Sequence, residues 1–392
     1  WQRYQPVSYG LTSRSGDAAA FDDMVSRCAA VGVDIYVDAV INHMSSQPSG
    51  TGSGGSTYTK YEYAGLYTRA DFHDPACVID GADYTSNAER VRTCELLGLS
   101  DLRTEADEVQ DEIVTMLVDF VNRGVRGFRI DAAKHMGPSD IRAIIEKVGA
   151  AVGAEKAPYF FLEVIDNGGE AIAATEYLDV AGTSGSVVDV TEFKYAGVGE
   201  KFRGFFPDEV GDLTEFSEEG WSLLPSDRAV SFITNHDTQR GGALSYPDGA
   251  RAELANVFLL AHPYGVPQLL SGFAFDRSTS AGNASGPPSD DTGHTNSIFG
   301  EGSDVPTCAA VPSAALPGEW VCEHRHPSVA AMVEFRSVTH GKAVTNAWSN
   351  DGAQLAFGRE GTGFVAFNLE ETALETTLAT DLPAGTYCDV LG

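Results

Sequence analysis

The sequence contains no run of about 18 apolar residues, so none of its segments is long and greasy enough to cross a bilayer as a helix. It also lacks a C-x-x-C pair, the spacing of zinc ribbons and dithiol redox sites. Basic residues are scarce: 26 Lys and Arg stand against 56 Asp and Glu, a formal charge of −30. Such an acidic surface repels nucleic acid and anionic lipid, which excludes both as partners and favours a neutral or cationic substrate over a phosphorylated one. Taken alone, the acid excess reads as a solubility device suited to salty surroundings. No signal peptide is visible, and the opening phrase Trp1-Gln2-Arg3-Tyr4-Gln5-Pro6 reads like the middle of a protein.

What is present is an ordinary globular composition, 43% apolar and 10% aromatic, in a chain long enough for one large domain plus smaller ones. Six cysteines, Cys28, Cys77, Cys94, Cys308, Cys322 and Cys388, are scattered and even in number. Remote from histidine clusters, they point to disulfides of an exported protein.

Apolar stretches that end in polar groups recur along the chain. The stretch 127–135 is an apolar strand holding Phe128 and Ile130 that stops in Arg129, Asp131, Lys134 and His135. Before it, Val109, Ile113, Met116, Leu117, Phe120 and Val121 recur at helical spacing, with Gly124 as terminator. After it, Ser139 is the expected N-cap of a helix with Ile141, Ile144, Ile145 and Val148 on one face. Strands are also expected at 33–41, ending in Asn42 and His43, at 158–166, delivering Glu163, and at 186–190 with a Val187, Val188 and Val190 core. Further strands are expected at 228–234, ending in Asn235-His236-Asp237, and at 266–270. Alternating helix and short apolar strand is the repeat of a parallel α/β sheet, whose chemistry sits at the carboxyl ends of the strands. Residues 45–100 lose all periodicity and are rich in Gly, Ser, Thr and Tyr, which marks an inserted excursion. From about 341 the period becomes two, giving an appended antiparallel β domain with strands at 354–358 and 363–368.

Three carboxylates, two histidines and an arginine at one sheet edge exceed what a structural ion pair requires. Burying several acids together is costly unless their protonation states differ or cations offset them. Glycoside hydrolysis needs such an array: one acid to protonate the leaving oxygen, one ionised carboxylate to attack or shield the oxocarbenium carbon.

The segments Asp38-Ala39-Val40-Ile41-Asn42-His43, 127–135, Leu162-Glu163-Val164-Ile165-Asp166 and Asn235-His236-Asp237 resemble the four motifs of the α-amylase family of retaining glycoside hydrolases, closest to its animal and actinobacterial branch. The phrases at 4–9, 262–265, 320–325 and 383–388 follow in the family's order. The resemblance implies a (β/α)8 barrel over 1–44 and 101–340, an inserted calcium-linked domain over 45–100 and a β-sandwich domain over 341–392. It implies that two barrel strands precede Trp1 and that the β domain continues past Gly392. Only six of the eight strands would then be in hand, and such a chain is expected to fold poorly alone, with open edges.

By the same resemblance Asp131 is the nucleophile, Glu163 the general acid/base and Asp237 the third acid. Arg129 should keep Asp131 ionised, while His43 and His236 should donate to sugar hydroxyls. Tyr4 is similar to a stacking platform with Gln5 beside it, and Lys134 and His135 border the leaving-group side. Asn42, Asp101 and the carbonyls of Arg92 and His135 match the ligands of a Ca²⁺ ion. Arg129 and Asn235 match two chloride ligands, but Gln268 stands where a basic third is expected, which weakens anion binding and puts chloride activation in doubt. The loop after Asp237 is shorter than the family's, which puts its lid in doubt. Cys77–Cys94 and Cys308–Cys322 match family disulfides, with the partners of Cys28 and Cys388 outside the chain. The implied activity is a secreted, monomeric α-amylase cutting internal α-1,4 bonds of starch, glycogen and maltooligosaccharides. The alternatives are an α-glucan transglycosidase or maltooligosaccharide-forming relative, and a non-catalytic carbohydrate-binding relative or inactive fragment.

Overall fold

A computed structural model describes residues 1–204, 210–300 and 302–391. The chain divides into two compact units, Trp1–Thr191 with Asp291–Thr295, and Glu192–Asp290 with Asn296–Gly392.

The first unit is built on four parallel strands, adjacent in the order β1 (Tyr36–Ala39), β5 (Gly127–Ile130), β6 (Tyr159–Leu162) and β7 (Val188–Glu192). Between β1 and β5 lies the inserted stretch, which holds a small antiparallel sheet of β2 (Ser49–Thr51), β3 (Thr57–Thr59) and β4 (Glu62–Tyr63). Strands of two or three residues are too short to print a period of two, which is why this sheet was not legible. Tyr58 and Tyr63 stack within it at 5.6 Å, and a disulfide joins Cys77 to Cys94.

Helices follow the expected periodicity. Asp17 caps the Ala18–Ala30 helix by accepting from the Ala20 amide at 2.9 Å. The Asp107–Asn122 helix buries Val109, Ile113, Leu117 and Val121, and Gly124 ends it at φ +101°, a conformation that suits glycine. The Pro138–Val152 helix buries Ile141, Ile144, Ile145 and Val148. Its cap is Gly137, not Ser139, because Pro138 already has the φ of a first helical residue and moves the start upstream. Val187, expected in the core of the 186–190 strand, is 63% exposed, since β7 begins one residue later.

The register places the chemistry. Asp38 of β1 pairs with Arg129 of β5, and Arg129 with Phe161 of β6. Phe128 and Phe160 stack at 5.5 Å beneath these strand ends.

The second unit contains the parallel pair β8 (Ala229–Ser231) and β9 (Val266–Pro267). Both are shorter than expected, and β9 stops at Pro267, which has no N–H for a ladder. Helices Ala250–Ala261 and Pro327–Val338 pack in this unit, and a disulfide joins Cys308 to Cys322. The C-terminal antiparallel sheet has three strands, β10 (Val344–Ser349), β11 (Gln354–Arg359) and β12 (Gly363–Asn368). Arg359, 1% exposed, donates to the carbonyls of Ala261, Thr339 and Lys342, so one guanidinium closes the C-terminal ends of both helices. Among the described residues Cys28 and Cys388 have no disulfide partner. Three of the four tryptophans, Trp221, Trp320 and Trp348, belong to this second unit.

Candidate active site

Arg129 is the hub of the first unit's strand ends. Its Nη1 lies 2.7 Å from Asp38 and 2.9 Å from Asp131, and its Nη2 lies 2.6 Å from Glu163. Asp38 also accepts from the Tyr4 hydroxyl at 2.7 Å. Asp38 was legible only as a strand-end acid; its tie to Arg129 comes from parallel register, which no local pattern reveals. Burial works against the Arg129 charge, but Glu163, Asp38 and Asp131 outweigh it and hold the guanidinium more firmly protonated than usual.

One cation thus serves three carboxylates. Burial and the Glu163 charge push the Asp131 carboxyl up, to about 8, against the pull of Arg129. Arg129 was expected to keep Asp131 ionised; it lowers that carboxyl, but shared among three carboxylates it does not offset the burial. Directly after Asp131, Ala132 adopts a left-handed φ of +49°. This turn aims the Ala132 amide at Glu163 Oε2, 2.8 Å away, and such strain in a non-glycine residue marks functional sites. Glu163 Oε2 thus accepts from this amide while Oε1 pairs with Arg129, and Asp131 and Glu163 are each only 6% exposed.

The other expected residues of this unit surround the hub. His43 is buried and pushed down to about 4, chiefly by that burial, so its ring is neutral. Its Nδ1 lies 3.2 Å from Asn42 Nδ2 and its Nε2 3.0 Å from the Tyr4 carbonyl. Both ring nitrogens therefore have partners within the protein, the Asn42 amide and the Tyr4 carbonyl. Gln5 Oε1 accepts from Ser45 Oγ at 3.0 Å and from the Ser46 amide at 3.2 Å, which anchors the start of the inserted stretch. Lys134 is 3% exposed; it donates to the Ile165 carbonyl at 2.6 Å and pairs with Glu170. Asp166 caps the same loop by accepting from the amides of Gly168 and Ala174. Glu170 was not singled out in the sequence, and Asp166 appeared only as the last residue of the expected 158–166 strand, which in the structure ends at Leu162.

The expected calcium ligands come together in two couples. Asn42 and Asp101 lie on adjacent backbones, with the Leu102 amide donating to Asn42 at 3.0 Å and a bridge between His43 and Asp101. Arg92 and His135 are neighbours through His135 Nδ1, which lies 2.9 Å from the Val91 carbonyl. His135 also feels the His43 ring electrostatically, which links the couples. Asp101 is 3% exposed; its Oδ2 lies 2.6 Å from His73 Nδ1, while its buried Oδ1 has no hydrogen-bond partner among the described residues. Burial pushes the Asp101 carboxyl up to about 7.

In the second unit, the Asn235 side chain accepts from the amides of Asp237 and Thr238 at 3.0 and 2.8 Å, which fixes a tight turn. The Asp237 side chain is 65% exposed, with His236 Nε2 at 3.6 Å. Gln268 follows β9, its amide donating to the Ser231 carbonyl at 2.8 Å.

Residues 8–151 match the α-amylase catalytic domain, and residues 346–392 match the α-amylase C-terminal all-β domain. Over its whole length the chain is 41% identical to pancreatic α-amylase 2a5 of Mus musculus, of which it covers 77%. It is 43% identical to the α-amylase of Tribolium castaneum, covering 76%. The chain belongs to the α-amylase family. It is accordingly a glycoside hydrolase of (β/α)8-barrel type with a C-terminal antiparallel β domain. The crystal structure of α-amylase I from Eisenia fetida, solved as wild type and as a mutant complex with maltohexaose, matches this α-amylase-family chain at a TM-score of 0.86. That match has 37% identity and covers the whole chain and 79% of the Eisenia one.

Proposed function

We propose that the enzyme hydrolyses internal α-1,4-glucosidic bonds of starch, glycogen and maltooligosaccharides with retention of configuration. The observation that carries this reading is the single guanidinium of Arg129 bridging Asp131 and Glu163. One planar group spanning two carboxyls suits the separation of about 5 Å in a retaining pair, not the wider gap that accommodates a water in an inverting one.

Asp131 attacks the anomeric carbon while Glu163 gives its proton to the departing glycosidic oxygen. Water then attacks the same carbon, its proton passes to Glu163, and Asp131 is released. In the resting arrangement burial favours a proton on Asp131, and that proton must leave before the carboxylate can attack. Glu163, as the acid, then delivers a proton to the glycosidic oxygen while Asp131 attacks as the carboxylate. Asp38 retains Arg129 as the charges change and orients the Tyr4 ring for stacking. Lys134 and Glu170 border the leaving-group side, and Asp237 with His236 serves as the third acid and its neighbour.

The residues fit a calcium ion. The buried Asp101 Oδ1 has no hydrogen-bond partner among the described residues, and Asn42 directs its amide nitrogen to His43, which leaves its oxygen for a hard cation. Asn42, Asp101 and the carbonyls of Arg92 and His135 would hold it. The ion would brace the inserted stretch, domain 45–100, against the barrel strand, and it takes no part in bond cleavage. The residues fit chloride poorly: Arg129 commits both terminal nitrogens to carboxylates, and Gln268 contributes no charge. The two disulfides support secretion, and we read the barrel as 1–44 and 101–340, the β domain as 341–392, and the enzyme as monomeric.

The test is product analysis on starch by NMR. Newly formed α-anomeric ends, lost in Asp131→Asn and Glu163→Gln, are the expected result. Products longer than the donor would assign a transglycosidase, and no new reducing ends would assign a binding relative.

A further inference from the structure

Asp101, the one charged side chain among the residues that fit calcium, treats its two oxygens differently. Oδ2 lies 2.6 Å from His73 Nδ1, while the buried Oδ1 has no hydrogen-bond partner among the described residues. A carboxylate that ligates a cation carries no proton, so the proton in the short contact belongs to the ring nitrogen, which donates it.

The backbone sets the ring in place. Residues 42–44, 100–103 and 71–73 run side by side, joined by antiparallel bridges of His43 with Asp101 and of Phe72 with Leu102. On one flank the Met44 amide donates to the Ser100 carbonyl at 2.9 Å and the Leu102 amide to the Asn42 carbonyl at 3.0 Å. On the other, the His73 amide donates to the Asp101 carbonyl at 3.2 Å and the Arg103 amide to the Asp71 carbonyl at 2.9 Å. His73 thus holds both the main chain and the side chain of Asp101. Its own carbonyl accepts from Arg69 Nη1 at 3.1 Å, and Arg69 Nη2 pairs with Asp74 at 2.5 Å. His73 Nε2 faces Glu105 Oε2 at 3.4 Å, and Glu105 Oε1 lies 3.6 Å from Arg103. Turning the ring by half a rotation would set carbons against both carboxylates, so its orientation is fixed by its neighbours.

We infer that His73 is a positioning residue for the calcium ion: its Nδ1–H anchors Asp101 Oδ2 and leaves Oδ1 as the oxygen offered to the metal. The inference rests on the calcium reading proposed above. An unanchored carboxylate turns about its Cβ–Cγ bond, and the ion has to order it on binding. One that is already hydrogen-bonded presents its ligand oxygen in advance, which favours binding. A hydrogen bond to the charged form also offsets part of the cost of burying that charge. Glu105 contributes by facing the opposite edge of the same ring, which keeps Nδ1 aimed at Asp101.

The experiment measures the calcium Kd of the full chain by competition with a chromophoric chelator, and the Tm at fixed free calcium and in excess chelator. It compares the wild type with His73→Ala, His73→Gln and His73→Asn. Asparagine carries an N–H where Nδ1 stands, whereas glutamine carries its own nearer the Nε2 position, on the Glu105 side. H73A should weaken the Kd about 10- to 100-fold, and H73N should recover most of that loss. The Tm gap between calcium and chelator should narrow in H73A and widen again in H73N. A side chain that only packs the inserted stretch would lower the Tm equally in both media and leave the Kd unmoved. That result, or an H73N protein as weak as H73A, would overturn the inference. If H73A does not fold, H73Q, which keeps the size and polarity of the side chain, takes its place in the comparison with the same expected loss. A wild type that takes no calcium from the chelator sinks the calcium reading and the inference with it. A wild type that binds calcium no better than H73A does sinks the inference alone.

Discussion

At the scale of the residue, the site is governed by a shortage of positive charge. Arg129 faces Asp38, Asp131 and Glu163, so the group is easiest to hold with one proton in it. Catalysis needs that proton, and the pH–rate profile should show an alkaline limb near the raised Asp131 value of about 8. The same shift bears on stability. The folded value lies above the ordinary 3.8, so between these two the native state keeps a proton the unfolded chain has released. Wild-type stability should therefore decline as pH rises through that window. Asp131→Asn removes the buried charge; it should melt higher than wild type at pH 8 and together with it at pH 4, by calorimetry. The same change should lower kcat by at least about 10⁴-fold. The acids themselves were legible because each stands where an apolar strand turns polar. Asp38's partnership with Arg129 and the double commitment of the His43 ring were not, since both depend on residues brought together by folding.

At the scale of the element, the long helices and the ends of the parallel strands could be read from periodicity, whereas the inserted stretch could not. Its order comes from many small ties: Tyr58 on Tyr63, Gln5 on the Ser45–Ser46 backbone, and the Cys77–Cys94 bond. A segment with so little apolar content depends on such constraints, because its burial alone does not offset the ordering of its backbone. The disulfide closes a loop with a sequence separation of 17, for which loop-closure entropy corresponds to about 3 kcal/mol. Cys77→Ser combined with Cys94→Ser should lower stability by roughly that amount in denaturant titrations. The strand at 266–270 was over-read for a related reason: apolar residues continue to Leu270, but Pro267 ends the ladder.

At the scale of the whole molecule, the charge of −30 sets how the protein responds to its medium. Repulsion among exposed carboxylates is felt over about 30 Å at 0.01 M salt and about 3 Å at 1 M. The Tm should rise over that interval, and a flat Tm would show that the acid excess is neutral to folding. Calcium removal should act differently, by releasing the Asn42–Asp101 and Arg92–His135 couples of the first unit. The placement of the aromatic side chains makes those events separable by light. Trp221, Trp320 and Trp348 lie in the second unit, whereas Tyr58, Tyr61, Tyr63 and Tyr67 cluster in the inserted stretch of the first. Chelation should therefore first weaken the near-ultraviolet dichroism of tyrosine and leave the emission of these three tryptophans at its native wavelength. Heating should move both together only if the two units melt as one. A single cuvette, read at two wavelengths, thus acts as two thermometers placed at different ends of the chain.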